Sequence, residues 1–375
     1  MTSRYKFLLV CKNFLFCALF LVGTNALYAQ KYSNEFLSIG VGAKGQSLGN
    51  AVVAGVDDVT AGFWNPAGLM NIDPNAGVQF GAMHAEWFAG VGKYDYLGLA
   101  MPISNKERAL GLSVIRFAID DIPNTLSLYD DDGTVNYDNV VPFSSADYAF
   151  LLSYAQGVYT DFGKLSVGGN IKVVHRNIGP FATAWGFGLD AGVQFRTKNW
   201  HFGFMAKDFT NTFNAWQFEF TEEEKEVLQL TNNDIPINSL EVTRPQFILG
   251  AAYQRDFGKF GLMAELDFTA SSDGFRNTLI RSNTFSVDPS FGIEANYGKF
   301  VFFRAGINNF QKDRDFEEEF WTVQPNLGVG LKIFNLYIDY AFTDIGDQRN
   351  KTYSHVISLK LAIDFKRFRK PKKNQ

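Results

Sequence analysis

The 375-residue chain is 46% hydrophobic and 16% aromatic, contains 38 Phe, 15 Tyr and 34 Gly, and carries a formal net charge of −4. Its aromatic and glycine content exceeds that of an ordinary soluble domain, and its acidic balance argues against nucleic acid as a partner. No apolar run reaches the roughly 18 residues of a spanning helix, which excludes a helical membrane protein.

Residues 1–29 read as a cleaved secretory signal. Arg4, Lys6 and Lys12 give a positive start, Phe14 to Val22 an apolar centre, and Ala26-Leu27-Tyr28-Ala29 a cleavage site before Gln30. Cys11 and Cys17, the only cysteines, lie inside this segment. The mature chain is therefore expected to have no disulfide, thiol nucleophile or cysteine-ligated metal.

Residues 30–76 are apolar and rich in glycine, without a clean period. In "DDVTAGFWNPAGLM", Asp57 and Asp58 suit the N-cap and first turn of a short helix. Pro66 should end that helix after Asn65, and Gly68 should take a backbone conformation closed to other residues. Phe36, Leu48, Val52, Phe63, Trp64 and Leu69 need burial, and fourteen strand-like segments follow directly. A barrel of ~14 strands is wider than side chains fill and leaks unless plugged. The segment is expected to fold into the lumen as a hatch, with Asp57, Asp58, Trp64, Asn65, Pro66 and Gly68 as its motif.

The stretch "FLSIGVGAKGQSLGNAVVAGVDDVTAGFWNPAGL", above all Leu48-Gly49-Asn50-Ala51, Asp57-Asp58 and Asn65-Pro66-Ala67-Gly68, resembles the N-terminal hatch of the FadL-like superfamily. It is most similar to the PorV/PorQ branch, outer-membrane proteins associated with the type IX secretion system. The resemblance implies an outer-membrane barrel with protein partners in that machinery.

From residue 77 onward the pattern is that of strands, at 77–87, 94–103, 109–119, 145–157, 165–177, 186–197, 200–208, 244–255, 259–269, 288–297, 300–308, 322–333, 336–343 and 355–365. Alternation is clear in the stretch 260–268, where Phe260, Leu262, Ala264, Leu266 and Phe268 share one face and Glu265 and Asp267 the other. Ile357, Leu359 and Leu361 against Ser358 and Lys360 repeat it near the end. In hydrocarbon every backbone N–H and C=O needs an internal partner, so strands survive there only as a closed sheet. Short connections (such as 198–199 and 334–335) alternate with long ones (such as 120–144 and 209–243), which sorts the turns onto one rim and the loops onto the other. The fold expected is a 14-stranded antiparallel transmembrane β-barrel over 77–365 with a short helical hatch, embedded in outer-membrane lipid, and a basic tail over 366–375.

Tyr94, Tyr96, Tyr148, Tyr154, Trp200, Tyr253, Tyr297 and Tyr337 lie near strand ends and are read as aromatic girdles. Inward charges, among them Lys172, Arg176, Asp190, Arg196, Arg304, Asp339, Lys360 and Asp364, should pair in a wet interior. In the long connection 209–243, Thr221 and Glu224 form a capping box for a short helix. Phe213, Trp216, Phe218 and Phe220 exceed what a solvated loop needs and mark a partner-binding surface.

Other signals carry little. Gly40-Val-Gly42-Ala-Lys-Gly45 lacks the βαβ setting and following acid of a dinucleotide site. His84, His175, His201 and His355 sit on four strands without metal-ligand spacing, no Gly-x-Ser-x-Gly elbow marks a lipase, and "DDDG" at 130–133 lacks the spaced ligands of a calcium loop. No catalytic residue, metal or cofactor is expected. Two functions remain. The nearer resemblance implies a component of type IX secretion that docks translocon, cargo or attachment proteins on its outer loops. The alternative is a FadL-like transporter carrying a hydrophobic small molecule past the hatch.

Overall fold

The computed structural model describes residues 33–73, 77–87, 90–103, 107–130, 132–274, 276–282, 285–315, 318–344 and 353–363. The signal at 1–29, the first residues of the hatch, Asp364 and the tail at 366–375 lie outside the described residues.

One antiparallel sheet closes on itself, because the first strand pairs with both the second and the last. In chain order the strands are β1 (Val78–Trp87), β2 (Gly92–Ile103), β3 (Arg108–Asn124), β4 (Val141–Thr160), β5 (Gly163–Ile178), β6 (Ala182–Arg196), β7 (Trp200–Lys207), β8 (Thr212–Phe218), β9 (Ser239–Thr243), β10 (Gln246–Phe257), β11 (Phe260–Ser271), β12 (Ile280–Arg281), β13 (Ser286–Tyr297), β14 (Val301–Asp315), β15 (Glu318–Ile333), β16 (Leu336–Asp344) and β17 (Tyr353–Ile363). The sheet has 17 strands but fourteen staves. β7 and β8 lie end to end, since β6 pairs with β7 through Ala191–Arg196 and with β8 through Ala182–Phe187. β9 and β10 continue one another in the same way, opposite β8 and β7. The two-residue β12 is an outer addition to β13.

The break between β7 and β8 has a local cause. Asp208 and Asn211 take left-handed backbone, with φ of 53° and 59°, which these short polar residues tolerate better than others. The Asp190 carboxylate accepts the Asp208 N–H at 2.9 Å and so satisfies a donor that the ladder drops at the bulge.

Period-2 alternation decides which residues face out. On the outward face Leu327 is 58% exposed and Phe303 59%. Glu265 and Asp267, neighbours in sequence of such outward residues, are each 1% exposed in the lumen. A closed sheet whose outer wall is Phe, Leu, Ile and Val and whose inner wall is charged spans a membrane; in water that outer wall would have no solvent to match it.

The structure departs from the sequence reading in three places. The connection 209–243 is not one loop: it contains β8, a helix at Glu222–Leu230 and β9. The connection 309–321 is almost all strand, because β14 runs to Asp315 and β15 starts at Glu318. The girdle is partly misassigned as well. Tyr154, Trp200 and Tyr297 do face outward, but Tyr94 and Tyr96 are buried inside at 0% and 1% exposure. Tyr337 lies beneath the ammonium groups of Lys332 and Lys360. Proximity to a strand end does not fix a side chain's face; parity does.

Candidate functional site

Residues 33–73 fill the lumen as a string of single turns: Glu35–Ser38, Ala43–Ser47, Ala61–Trp64 and Pro66–Asn71. Each turn is too short to hold itself together. Burial does much of the work: Phe36, Leu48, Val52, Phe63, Trp64 and Leu69 form a core with inward residues of the wall such as Tyr96, Ile115 and Leu151. The hatch backbone also touches the wall directly. A Cβ on Gly306 would lie 2.2 Å from the Gly49 nitrogen, so glycine there is required by contact.

The predicted hatch motif is assembled, with some roles changed. Asn65 is extended, with φ −163°, and its side chain accepts the Ala67 N–H at 3.2 Å. Pro66 follows the helical turn Ala61–Trp64 and also begins the next one. The Trp64 indole donates to the Val41 carbonyl at 2.9 Å. Asp58 is not an N-cap; that position is Thr60, which has no side-chain cap bond. Asp58 instead accepts from the Thr60 N–H at 2.9 Å and hydroxyl at 2.6 Å. Gly68 does not adopt left-handed backbone. A Cβ there would lie 2.6 Å from the Val56 carbonyl oxygen, so its role is close approach.

Two ion pairs pin this motif. Asp58 meets Lys360 of β17 at 2.7 Å, and Asp57 meets Lys44 at 3.0 Å. Burial alone would raise the Asp58 pKa, but the Lys360 and Lys44 ammonium groups override it and hold the carboxyl well below its usual range. Burial likewise opposes the charge on Lys44, and Asp57 and Asp58 overcome it, so the ammonium is held well above its usual range.

Residues 52–56 are held differently, by a clamp of wall side chains. Asp267 of β11 accepts the Val52 and Val53 N–H groups at 2.9 and 3.0 Å, and Glu265 accepts those of Ala54 and Gly55 at 2.7 and 3.1 Å. From β6, Gln194 donates to the Val53 carbonyl at 2.9 Å, and Arg196 donates to those of Gly55 and Val56 at 2.8 Å each. Asn65 adds a bond to the Val53 carbonyl at 3.0 Å. A backbone segment with no ladder of its own thus has its polar groups satisfied by the carboxyl groups of Glu265 and Asp267, the guanidinium of Arg196 and the amides of Gln194 and Asn65.

The other inward charges pair much as expected. Lys172 bridges Asp190, at 3.0 Å, and Asp208. Arg304 bridges Glu294 at 2.6 Å and Asp339 at 2.7 Å, and Arg176 meets Asp147 at 2.9 Å.

Between the hatch and the long-loop rim lies a cavity of about 450 Å³. Ile39, Asn50, Val53 and Trp64 of the hatch contribute to its lining, which is otherwise mostly polar wall residues such as Gln246, Asp288, Asn308 and Gln324. Two of the residues that line it, Val53 and Asp267, also belong to the clamp.

Of the predicted partner-binding aromatics, Phe213, Trp216 and Phe218 lie on β8, and Phe220 lies in the connection that follows it. Phe213 faces outward from β8 at 44% exposure. Trp216 donates to Glu241 at 3.1 Å and lies under the Arg176 guanidinium, 5.0 Å from ring centre to carbon. Trp216, Phe218, Phe220 and Phe181 stack in succession, with centroids 6.0, 6.4 and 5.6 Å apart. The Thr221–Glu224 capping box is present as read, with both of its bonds. The histidines stay apart: His84 bonds Asp95 at 2.7 Å and His355 bonds Tyr340 at 2.7 Å. His175 stacks on Trp185 at 4.2 Å. Among the described residues no cluster of three or more His, Cys, Asp or Glu could hold a metal.

The fold matches that of solved hydrocarbon channels. The CymD monoaromatic hydrocarbon channel aligns over 87% of this chain and 98% of its own, at 13% identity and a TM-score of 0.53. The toluene transporter TodX of P. putida aligns over 86% and 99%, at 12% identity and a TM-score of 0.50. A Pseudomonas aeruginosa FadL homologue aligns over 85% and 97%, at 14% identity and a TM-score of 0.47. No protein-family model and no curated protein matches the chain.

Sequence reasoning placed a short helical hatch in the lumen but did not single out Glu265, Asp267, Gln194 and Arg196 as its holders. Their inward parity was legible. Their target, the backbone of residues 52–56, has no side-chain signature.

Proposed function

We propose that the chain is an outer-membrane channel for small molecules, closed at rest by its own hatch. The observation that carries this reading is the way the hatch is held. Among its described residues it enters no strand ladder and rests on side-chain bonds and packing, so it can shift while the barrel stays closed. A cavity on the long-loop side ends on that same segment. The fold shared with the CymD and TodX channels supports the reading, as does the sequence resemblance of the hatch to the FadL-like superfamily.

The test is to lock the hatch. The Ala43 N–H bonds the Ser358 hydroxyl at 2.9 Å, so an Ala43→Cys/Ser358→Cys pair joins hatch to wall. Oxidised protein in proteoliposomes should lose solute uptake, and reduction should restore it. Equal uptake in both states would show that solute does not pass the hatch.

Docking is a second reading, and one observation favours it. The excursion between β8 and β9 exposes Leu230 at 79% and Ile237 at 77%, more apolar surface than a free segment needs. This is where a protein of the type IX secretion machinery would bind if the PorV/PorQ resemblance extends to function. Removing residues 221–237 while leaving β8 and β9 intact should then abolish co-purification of that partner from the native membrane. Unchanged co-purification counts against docking by this element.

A further inference from the structure

The cavity above the hatch sets Ile39, Val53, Trp64, Trp87 and Ile248 among a larger number of polar side chains. Its lining includes amides and hydroxyls from at least four strands, and several already bond one another or side chains just outside the cavity. Gln246 donates to Ser271 at 3.1 Å, and Gln324 donates to Thr343 at 2.7 Å. Asn308 accepts from Asn326 at 2.9 Å. An apolar guest that displaced water from these groups would leave their remaining donors and acceptors unpaired, which is unfavourable for every group so stranded.

The charges in the cavity are unevenly satisfied. Glu35 pairs with Arg276 at 3.0 Å. Asp267 accepts two hatch N–H groups, and Asp288 accepts the Phe310 N–H at 3.4 Å. The nearby carboxylates Asp190 and Asp208 are engaged by Lys172. Lys207, at the inner end of β7, differs. Its Nζ lies 4.4 Å from the ring centre of Phe63 and 5.7 Å from that of Trp64. Among the described residues no carboxylate or carbonyl oxygen lies within hydrogen-bonding distance of it. The rings orient the ammonium and accept none of its hydrogens in the ordinary sense. The result is a half-buried cation on hatch aromatics, lining a polar cavity, with its hydrogen-bonding capacity unspent.

We propose that this cavity binds a hydrophilic organic anion, its anionic group on Lys207 and its hydroxyls on the amide and hydroxyl groups of the wall. The inference rests on the channel reading above and names its solute class. A ligand so placed lies against Trp64 and Val53, which line the cavity, so binding reports directly to the hatch.

Trp64 and Trp87 line the cavity, so tryptophan fluorescence of the detergent-solubilised full chain is the readout. The probes are sodium glucuronate, glucose as the neutral counterpart of equal size, and toluene. Glucuronate should give a saturable change with at least tenfold higher affinity than glucose, and toluene should give none. Lys207→Gln should lower glucuronate affinity at least tenfold and leave glucose unchanged, while Lys207→Arg should retain glucuronate binding. Heat-dependent mobility on gels confirms that each variant is a folded barrel; if Lys207→Gln fails to fold, the glucuronate-to-glucose ratio of Lys207→Arg and of the unmodified chain decides. Saturable toluene binding without glucuronate binding overturns the proposal, as does undiminished glucuronate affinity in folded Lys207→Gln. Because binding is read without flux, glucuronate binding in a barrel that passes no solute would refute the channel and leave this site standing.

Discussion

Replacing Glu265 and Asp267 together by alanine removes the acceptors of four consecutive hatch N–H groups, those of Val52, Val53, Ala54 and Gly55. A buried donor left without a partner costs about 1–3 kcal/mol. Water entering the vacated space recovers part of this, and removing two buried carboxylates returns some desolvation energy. Taking the low end, about 1 kcal/mol per bond, the hatch loses roughly 4 kcal/mol of seating, which is about a thousandfold in the unseated fraction. The barrel should be spared, since the ladders that pair β11 with β10 and β13 are made by backbone groups and do not use the Glu265 or Asp267 side chain. Single-channel conductance in planar bilayers should show frequent openings, and protease should cut within residues 52–56 far faster. The amide variant Glu265→Gln/Asp267→Asn keeps neutral acceptors of about half the strength and should fall between. A double alanine variant that folds, stays closed and resists protease as the unmodified protein does would refute the clamp as what holds the hatch.

Three further outcomes follow from the same structure. Gly306→Val places a side chain where the Gly49 nitrogen now lies; the barrel should assemble, seen by heat-dependent gel mobility, with a displaced and protease-sensitive hatch. The Asp58–Lys360 pair sets a pH window. With the Asp58 pKa below its unfolded value of 3.8, the pair contributes fully above pH 3.8 and is lost only as pH falls further. Lys44, held above 10.5, keeps its contribution until pH rises past that value. Hatch protection from protease should therefore be flat from about pH 5 to about pH 9 as far as these pairs govern it, and loosening inside that range would show that other groups do. Finally, Leu327→Arg puts a charge on the lipid face and should destabilise the barrel by about 2–4 kcal/mol if it sits near the midplane, measured by reversible unfolding in lipid. Asn326→Asp, one residue away but lumenal and 2% exposed, should leave the lipid contact unchanged and act instead through its bonds to Asn308 and Thr343.

The barrel was legible in the residues because its signal is local. Phe260, Leu262, Leu266 and Phe268 alternate with Glu265 and Asp267 at the period of a strand, and repetition of that pattern with sorted turn lengths specifies a closed sheet in lipid. The hatch was legible for a similar reason, as a short apolar stretch punctuated by Asn65-Pro66 and Gly68 with no strand to join. Three matters were decided only by the closed structure. Tyr94, Tyr96 and Tyr337 turn inward because parity with their pairing neighbours, and not nearness to a rim, sets their face. Trp216 and Phe218 stack in a stave because β6 outruns β7 and offers β8 a ladder, which no property of residues 212–218 announces. Glu265 reaches Ala54 across 211 positions of sequence, a contact fixed by register and by closure of the sheet. Local periodicity is written residue by residue; which inward charge meets which segment of the hatch depends on the whole circumference, and is settled only when the last strand pairs with the first.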